Sequence, residues 1–186
     1  IVLLLTACGS TKVNTAQSRF YQSFVTRFNV YHNGNEAYKE GLSAQEKSHK
    51  DNYMEIIPLF PVSKENTRSS GSGSFDKAIE KSQKAIKLHS IKQKPKKKAG
   101  RKLSEKDKLW YAKKEYNPYL HNAWMLMGKA QFQKGEFLEA ASTFSYITRL
   151  YSEDPKIVAE ARMRMAQCYA ELEWNYEADN LLTQIG

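Results

Sequence analysis

The residues whose types and order most directly suggest chemistry are Leu5, Thr6, Ala7 and Cys8. They end an apolar run, IVLLL, with a leucine, two small residues and a cysteine. Small side chains are needed ahead of a cysteine that must enter a narrow peptidase site while diacylated. The run is far too short to cross a bilayer as a helix, which takes about 20 apolar residues. Residues 1–7 therefore read as a truncated signal peptide, and Cys8 as the lipid-attachment residue. More than one acyl chain anchors firmly, at about 0.8 kcal/mol per buried CH2. A buried strand with an ordinary cysteine is the plainer alternative.

No other constellation reads as catalytic. His32, His49, His89 and His121 have no metal-ligand spacing with one another or with the cysteines. No G-x-S-x-G, P-loop or G-x-G-x-x-G occurs, and the G-S-G-S at 71–74 lies in a stretch of loop composition. Glu136 and Glu139 stand at a helix start, where they favour the helix dipole. Cys168 reads as a small buried apolar residue; with Cys8 lipidated it has no partner, so no disulfide is expected. The expectation is a non-enzymatic chain with no cofactor and no metal.

The elements that would position a binding surface centre on residues 119–155. Trp124, Met127, Gly128 and Phe132 follow one helix face, and Phe137, Ala140, Ala141, Phe144, Ile147 and Leu150 follow another. Lys134-Gly135-Glu136 is the turn between them, and Pro155 closes the unit. The ordered set Trp124, Gly128, Gly135, Phe137, Ala140, Phe144 and Pro155 resembles a tetratricopeptide repeat. A second unit follows over 159–185. Aligning Ala140 with Ala178 superposes Gly128 on Ala166 and Phe144 on Leu182, a period of 38, with Glu173 in place of the turn glycine. The expected fold is all-α, with such hairpins stacked as an α-solenoid, interrupted by an irregular proline-containing segment and a lysine-rich loop. The repeat resemblance implies a concave groove lined by Asn122, Met125, Lys129, Phe132, Gln133, Glu160, Met163, Gln167 and Ala170. The carboxylate clamp of chaperone-binding repeats is not reproduced.

Upstream, residues 8–18 are small and polar, a tether. Residues 19–90 read as an N-terminal helical region that opens on either a degenerate repeat hairpin or a plain helical hairpin. There Phe20, Phe24 and Phe28, widened by Tyr21, Val25 and Tyr31, read as a core stripe. Asn33-Gly34-Asn35 reads as a turn into a second helix. Pro58 and Pro61 forbid a regular helix through 51–63, so Ile56, Ile57, Leu59 and Phe60 are expected to pack against the helices as an extended segment. Residues 63–74 read as a flexible loop. Residues 75–89 read as a repeat's second helix, capped by Ser74, with its partner helix supplied from before the loop.

Of the 186 residues, 26% are charged and 41% hydrophobic, compatible with a packed protein. The net charge of +9 is local. Between Lys92 and Lys108, nine cations face only Glu105 and Asp107, so most of the excess sits in a basic linker, 91–108. No aromatic interleaves that cluster, and behind a lipidated cysteine it would not meet nucleic acid. A solvated loop is the plain reading; contact with anionic lipid or an acidic protein surface is the sharper one. Residues 104–118 read as a short helix leading into the repeats at 109–186. The chain begins at Ile1 and stops inside a repeat, so it reads as a fragment.

Taken in order, RFNVYHNGNEAYKEG, DNYMEIIPLFPVS, FDKAIEKSQKAIKLHSIKQKPKKK and EYNPYLHNAWMLMGKAQFQKGEFLEA follow one another behind the cysteine motif. This order resembles the SprE (PorW) family of Bacteroidetes gliding-motility lipoproteins across nearly the entire chain, most specifically over 27–61. The resemblance implies an outer-membrane lipoprotein of the type IX secretion system. Its implied partners are cell-envelope proteins, namely secretion-ring and translocon components, with the membrane engaged through the N-terminal lipid and no nucleic acid. Gly9 after Cys8, and no acid over 9–19, resemble outer-membrane sorting with the protein facing the periplasm. An outer-membrane-protein assembly lipoprotein of the BamD type and a regulator of cell-wall enzymes remain alternative readings.

Overall fold

The computed structural model describes residues 13–54, 56–96 and 103–185. Cys8, residues 1–7, the first part of the 8–18 tether and positions 97–102 of the basic linker lie outside the described residues.

Helix α1, Ala16–Val25, starts on an N-cap in which the Thr15 side chain accepts from Ser18 N–H at 3.1 Å. The tether thus gives way to helix at Ala16, before Arg19. A π-helical turn over Thr26–Tyr31 carries the same helix straight into α2, His32–Ser48. Asn33-Gly34-Asn35 consequently makes no turn. The space left by the missing Gly34 side chain is used for packing: a Cβ there would lie 3.1 Å from Lys81 Cβ and 3.2 Å from Leu126 Cδ2. Residues 16–48 thus form one long helix, not a hairpin.

The aromatic stripe of α1 is also not core. Phe20 is 73% exposed and Phe24 53%, with Tyr21 and Phe28 exposed beside them. The buried row is Gln22, Thr26 and Val30. At about 100° per residue, position 22 lies on nearly the opposite side of the helix from 20 and 24. Polar partners explain the choice of face. Thr26 Oγ1 donates to Gln22 O at 2.6 Å and accepts from Asn117 Nδ2 at 3.0 Å, while Gln22 Oε1 lies 2.6 Å from His89 Nδ1.

After α2 the chain passes through an irregular segment and the one-turn helix α3, Glu65–Arg68, to α4, Ser72–His89. The N-cap of α4 is Gly71 at φ 78, a left-handed conformation suited to glycine, and Ser74 is already inside the helix. Helix α5, Glu105–Ala112, opens on a capping box in which Ser104 and Asp107 satisfy each other's backbone. The basic linker is accordingly shorter than 91–108. Ile91 at its start is fully buried, and its last residues are helical.

Helices α6, Leu120–Gln133, and α7, Phe137–Leu150, form the expected hairpin. Pro155 opens the next helix, α8, Pro155–Glu171, just after the N-cap Asp154, and α9 spans Asn175–Thr183. Among the described residues there is no strand. The main helices pack in chain order: α2 on α4, α4 on α6, α6 on α7, α7 on α8, α8 on α9. The helix expected to partner α4 is supplied from before the loop, as α2.

Two details explain the regularity of the later pairs. A Cβ on Gly128 would sit 2.7 Å from the Phe144 ring, so only glycine lets α6 and α7 approach this closely. At the turns, Gly135 (φ 81) and Glu173 (φ 62) are both left-handed. Glu136 N–H donates to Gln131 O, and Trp174 N–H to Tyr169 O, closing the same 6→1 helix-end bond. Cys168 is fully buried, and burial pushes its thiol up to about 12.

The irregular stretch 113–119 is held by a buried carboxylate. Glu115 accepts from Ile91 N–H (2.9 Å), Asn117 N–H (2.8 Å), Tyr116 N–H (3.0 Å) and Ser90 Oγ (2.5 Å). Asn117 in turn donates to His89 O at 2.9 Å. These bonds join the end of α4, the start of α6 and the π-helical turn. Nothing in apolar periodicity marks Glu115 or Asn117 as core residues.

Candidate protein-binding groove and the strap across it

The first helices of the three pairs, α2, α6 and α8, touch one another in sequence, and their shared surface is where a repeat groove would lie. Part of the expected set converges there. Lys129, Phe132 and Gln133 of α6 meet Gln167 of α8, together with Tyr38, Phe60, Phe144 and Arg164. Lys129 Nζ also lies 3.4 Å from Glu160 Oε1, bridging the two helices. Arg164 Nη1 donates to Gln167 Oε1 at 3.2 Å.

The remaining expected residues do not line this space. Met125 is buried in the main core, Asn122 Nδ2 bonds Tyr119 O at 3.3 Å within its own first turn, and Met163 and Ala170 are exposed. Phe132 is both: it belongs to the buried core and its ring meets Phe60.

What occupies the groove is the chain's own insertion between α2 and α4. The Phe60 ring stands edge-on to Phe132 at 5.4 Å, Val62 is fully buried in the same core cluster, and Ser63 Oγ donates to Glu171 Oε1 at 2.8 Å. The cavity left is about 40 Å³, room for about two or three waters. Arg68 fastens the segment: its Nε donates to Val62 O at 2.9 Å and its guanidinium lies 5.1 Å over Phe137. Gln45 Nε2 reaches Gln133 O at 2.7 Å, tying α2 to the end of α6. The 63–74 stretch is thus a packed strap rather than a flexible loop.

Upstream, the expected packing fails. Ile56 is 96% exposed and Leu59 86%, with Tyr53, Met54 and Ile57 also exposed. Pro58 and Pro61 bar a regular α-helix here: Phe60 is extended, Pro61–Ser63 winds into one 3-10 turn, and Phe60, Val62 and Ser63 reach the helices.

Sequence reasoning missed Tyr38, Phe60 and Arg164 as groove residues. Arg164 had a visible signal, lying three residues before Gln167 on the same helix face. Phe60 had another: an aromatic between two prolines is a pre-extended peptide. Among the described residues no group of His, Cys, Asp or Glu could hold a metal ion, and no helix is long and apolar enough to cross a membrane. No protein-family model matches the chain, and no curated protein matches it either.

Proposed function

We propose that the chain is a lipid-anchored, periplasm-facing helical-repeat scaffold, built as a tetratricopeptide-like solenoid, which mediates protein–protein contacts in type IX secretion and gliding motility. The observation that carries the scaffold reading is the recurrence of one hairpin geometry. Left-handed residues at 135 and 173 close α6/α7 and α8/α9 with the same 6→1 bond, 38 residues apart. Stacked pairs of this kind bury a continuous core and offer a concave face. The Leu5–Cys8 motif supports the anchor, and the segment order over 27–61 supports the secretion role.

The strap indicates what the groove accepts. Phe60-Pro61-Val62 is a short apolar peptide, extended at Phe60 and then wound into a single 3-10 turn over Pro61–Ser63, with the Phe60 ring against Phe132, so a partner segment of the same chemistry competes for this site. Crosslinking and purification from the native envelope tests the role. Secretion-ring or translocon proteins are the expected recovery; outer-membrane-protein assembly machinery alone overturns the proposal. Incorporation of labelled palmitate, lost in Cys8→Ser, tests the anchor separately.

A further inference from the structure

Helix α1 puts its aromatic residues outside and its polar row inside, and the outside face has one chemical character. Phe20, Phe24 and Phe28 form a continuous ridge, with ring centroids 6.2 and 4.9 Å apart. Three positions i, i+4, i+8 cover about 12 Å of helix. The flanking charges are all positive. Arg27 lies 5.0 Å over the Phe28 ring, and Arg19 lies 5.1 Å over Trp110 of α5. The sequence carries no Asp or Glu before Glu36. Asn14 Nδ2 donates to Gln93 O at 2.7 Å, which sets exposed Lys92 and Lys94 beside the start of α1. The nearby acids of α5 are engaged: Glu105 pairs with Lys108 at 2.6 Å and Asp107 caps Ser104.

We propose that α1, the π-helical turn that continues it and the adjoining lysines form a docking surface for an anionic phospholipid bilayer. The phenylalanine rings enter the boundary between headgroups and acyl chains, while Arg27, Lys92 and Lys94 meet phosphates. Phenylalanine on one face with cations beside it is the composition of a helix lying in a membrane interface. Arginine stems run along apolar surface and leave the charged head at phosphate level. Each lysine or arginine near an anionic surface adds to the attraction. A second copy of the chain is a poorer occupant, because joining two such faces sets cation against cation with no acid between them. The reach fits as well: Val13 is five residue steps after Cys8, at most about 18 Å of extended chain. A lipid on Cys8 would therefore hold α1 against the bilayer.

This surface rests on the membrane-anchored reading for its setting, but its physics does not need the acyl chains. The test therefore uses the whole chain with Cys8→Ser and sedimentation with phosphatidylglycerol-containing or pure phosphatidylcholine vesicles. Binding is expected to the anionic vesicles only, weakening with salt, and to drop by about tenfold or more in F20S/F24S/F28S. Those side chains are exposed, so an unchanged circular-dichroism melt is expected for the triple variant. Equal binding by the variant, or equal binding to both vesicles, overturns the proposal. So does a lipid-free dimer on gel filtration that the three substitutions abolish. Palmitate labelling failing while vesicle binding persists would remove the anchor and leave this surface standing; the reverse would remove only the surface.

Discussion

The pairs α2/α4 and α6/α7 use the same landmarks to different ends. Gly34, Tyr38, Phe75 and Ala78 in the first correspond to Gly128, Phe132, Phe137 and Ala140 in the second. Tyr38 meets Phe75 with ring centroids 5.8 Å apart, and Phe132 meets Phe137 at 5.3 Å. The second pair closes at once through Gly135. The first lets its helix run on to Ser48, then spends residues 49–71 before α4 begins. The helix pair is therefore specified by its facing residues, not by its turn. Closing a longer loop costs only about 0.6 kcal/mol per doubling of length, and here the loop gains contacts of its own at Phe60, Val62 and Arg68.

The comparison can be broken most severely at its shared aromatic. Phe75→Ala removes a fully buried ring and should cost about 3–5 kcal/mol in chemical denaturation, as should Phe137→Ala. An intact fold with either would refute the equivalence. Next come the two glycines. Gly128→Ala drives a methyl into the Phe144 ring and should cost about 2 kcal/mol. Gly34→Ala meets Lys81 and Leu126 at 3.1–3.2 Å and should be near neutral, because alanine's helix propensity of about 1 kcal/mol offsets the crowding. Equal losses would show that both pairs are packed equally tightly.

A third change acts on the turns. Glu173→Gly should stabilise by about 1 kcal/mol by relieving a left-handed non-glycine residue, measured as a rise in Tm. Gly135→Ala should do the opposite, since its methyl would also press on the Arg68 side chain. Smaller again, Phe60→Ser should loosen the strap alone. Proteolysis within 51–63 should quicken severalfold while the global melt moves by less than about 1 kcal/mol.

The smallest expected effect is acid sensitivity, with one histidine contributing from each pair. Burial lowers the pKa of both His89 and His121, so the unfolded chain binds protons more readily than the folded one. Stability should be full above about pH 6.5, the unfolded value, and fall as pH drops below it. His121→Gln should flatten that slope in denaturation series at several pH values; an unchanged slope would assign it to His89.

The hairpin at 119–150 was legible because its apolar, small and turn residues all indicate the same geometry. Glu173 was legible as a turn residue by alignment alone, and its left-handed backbone follows from that place. The face of α1 was not, because periodicity counts apolar residues and cannot see that Gln22 and Thr26 have polar partners 67 and 91 residues away. The run-through at Gly34 was hidden for a related reason: Asn-Gly-Asn favours a turn locally, and only a neighbouring helix makes the glycine more useful inside one. Groove residues on α6 were half legible. Spacing puts Lys129, Phe132 and Gln133 on one side, but it gives no sign that Phe60 returns to cover them.

The π-helical turn at Thr26–Tyr31 works as a gear tooth. A turn closed by i→i+5 bonds holds one residue more than an α-turn, so it sets the phase of everything before it. Winding the same six residues as ordinary α-helix, with none removed, would instead rotate α1 by about 100° against α2. Gln22 would leave His89, and the phenylalanine ridge would swing away from the side it now faces. One residue of winding therefore separates a helix that shows its aromatics from one that hides some of them, with no change in composition.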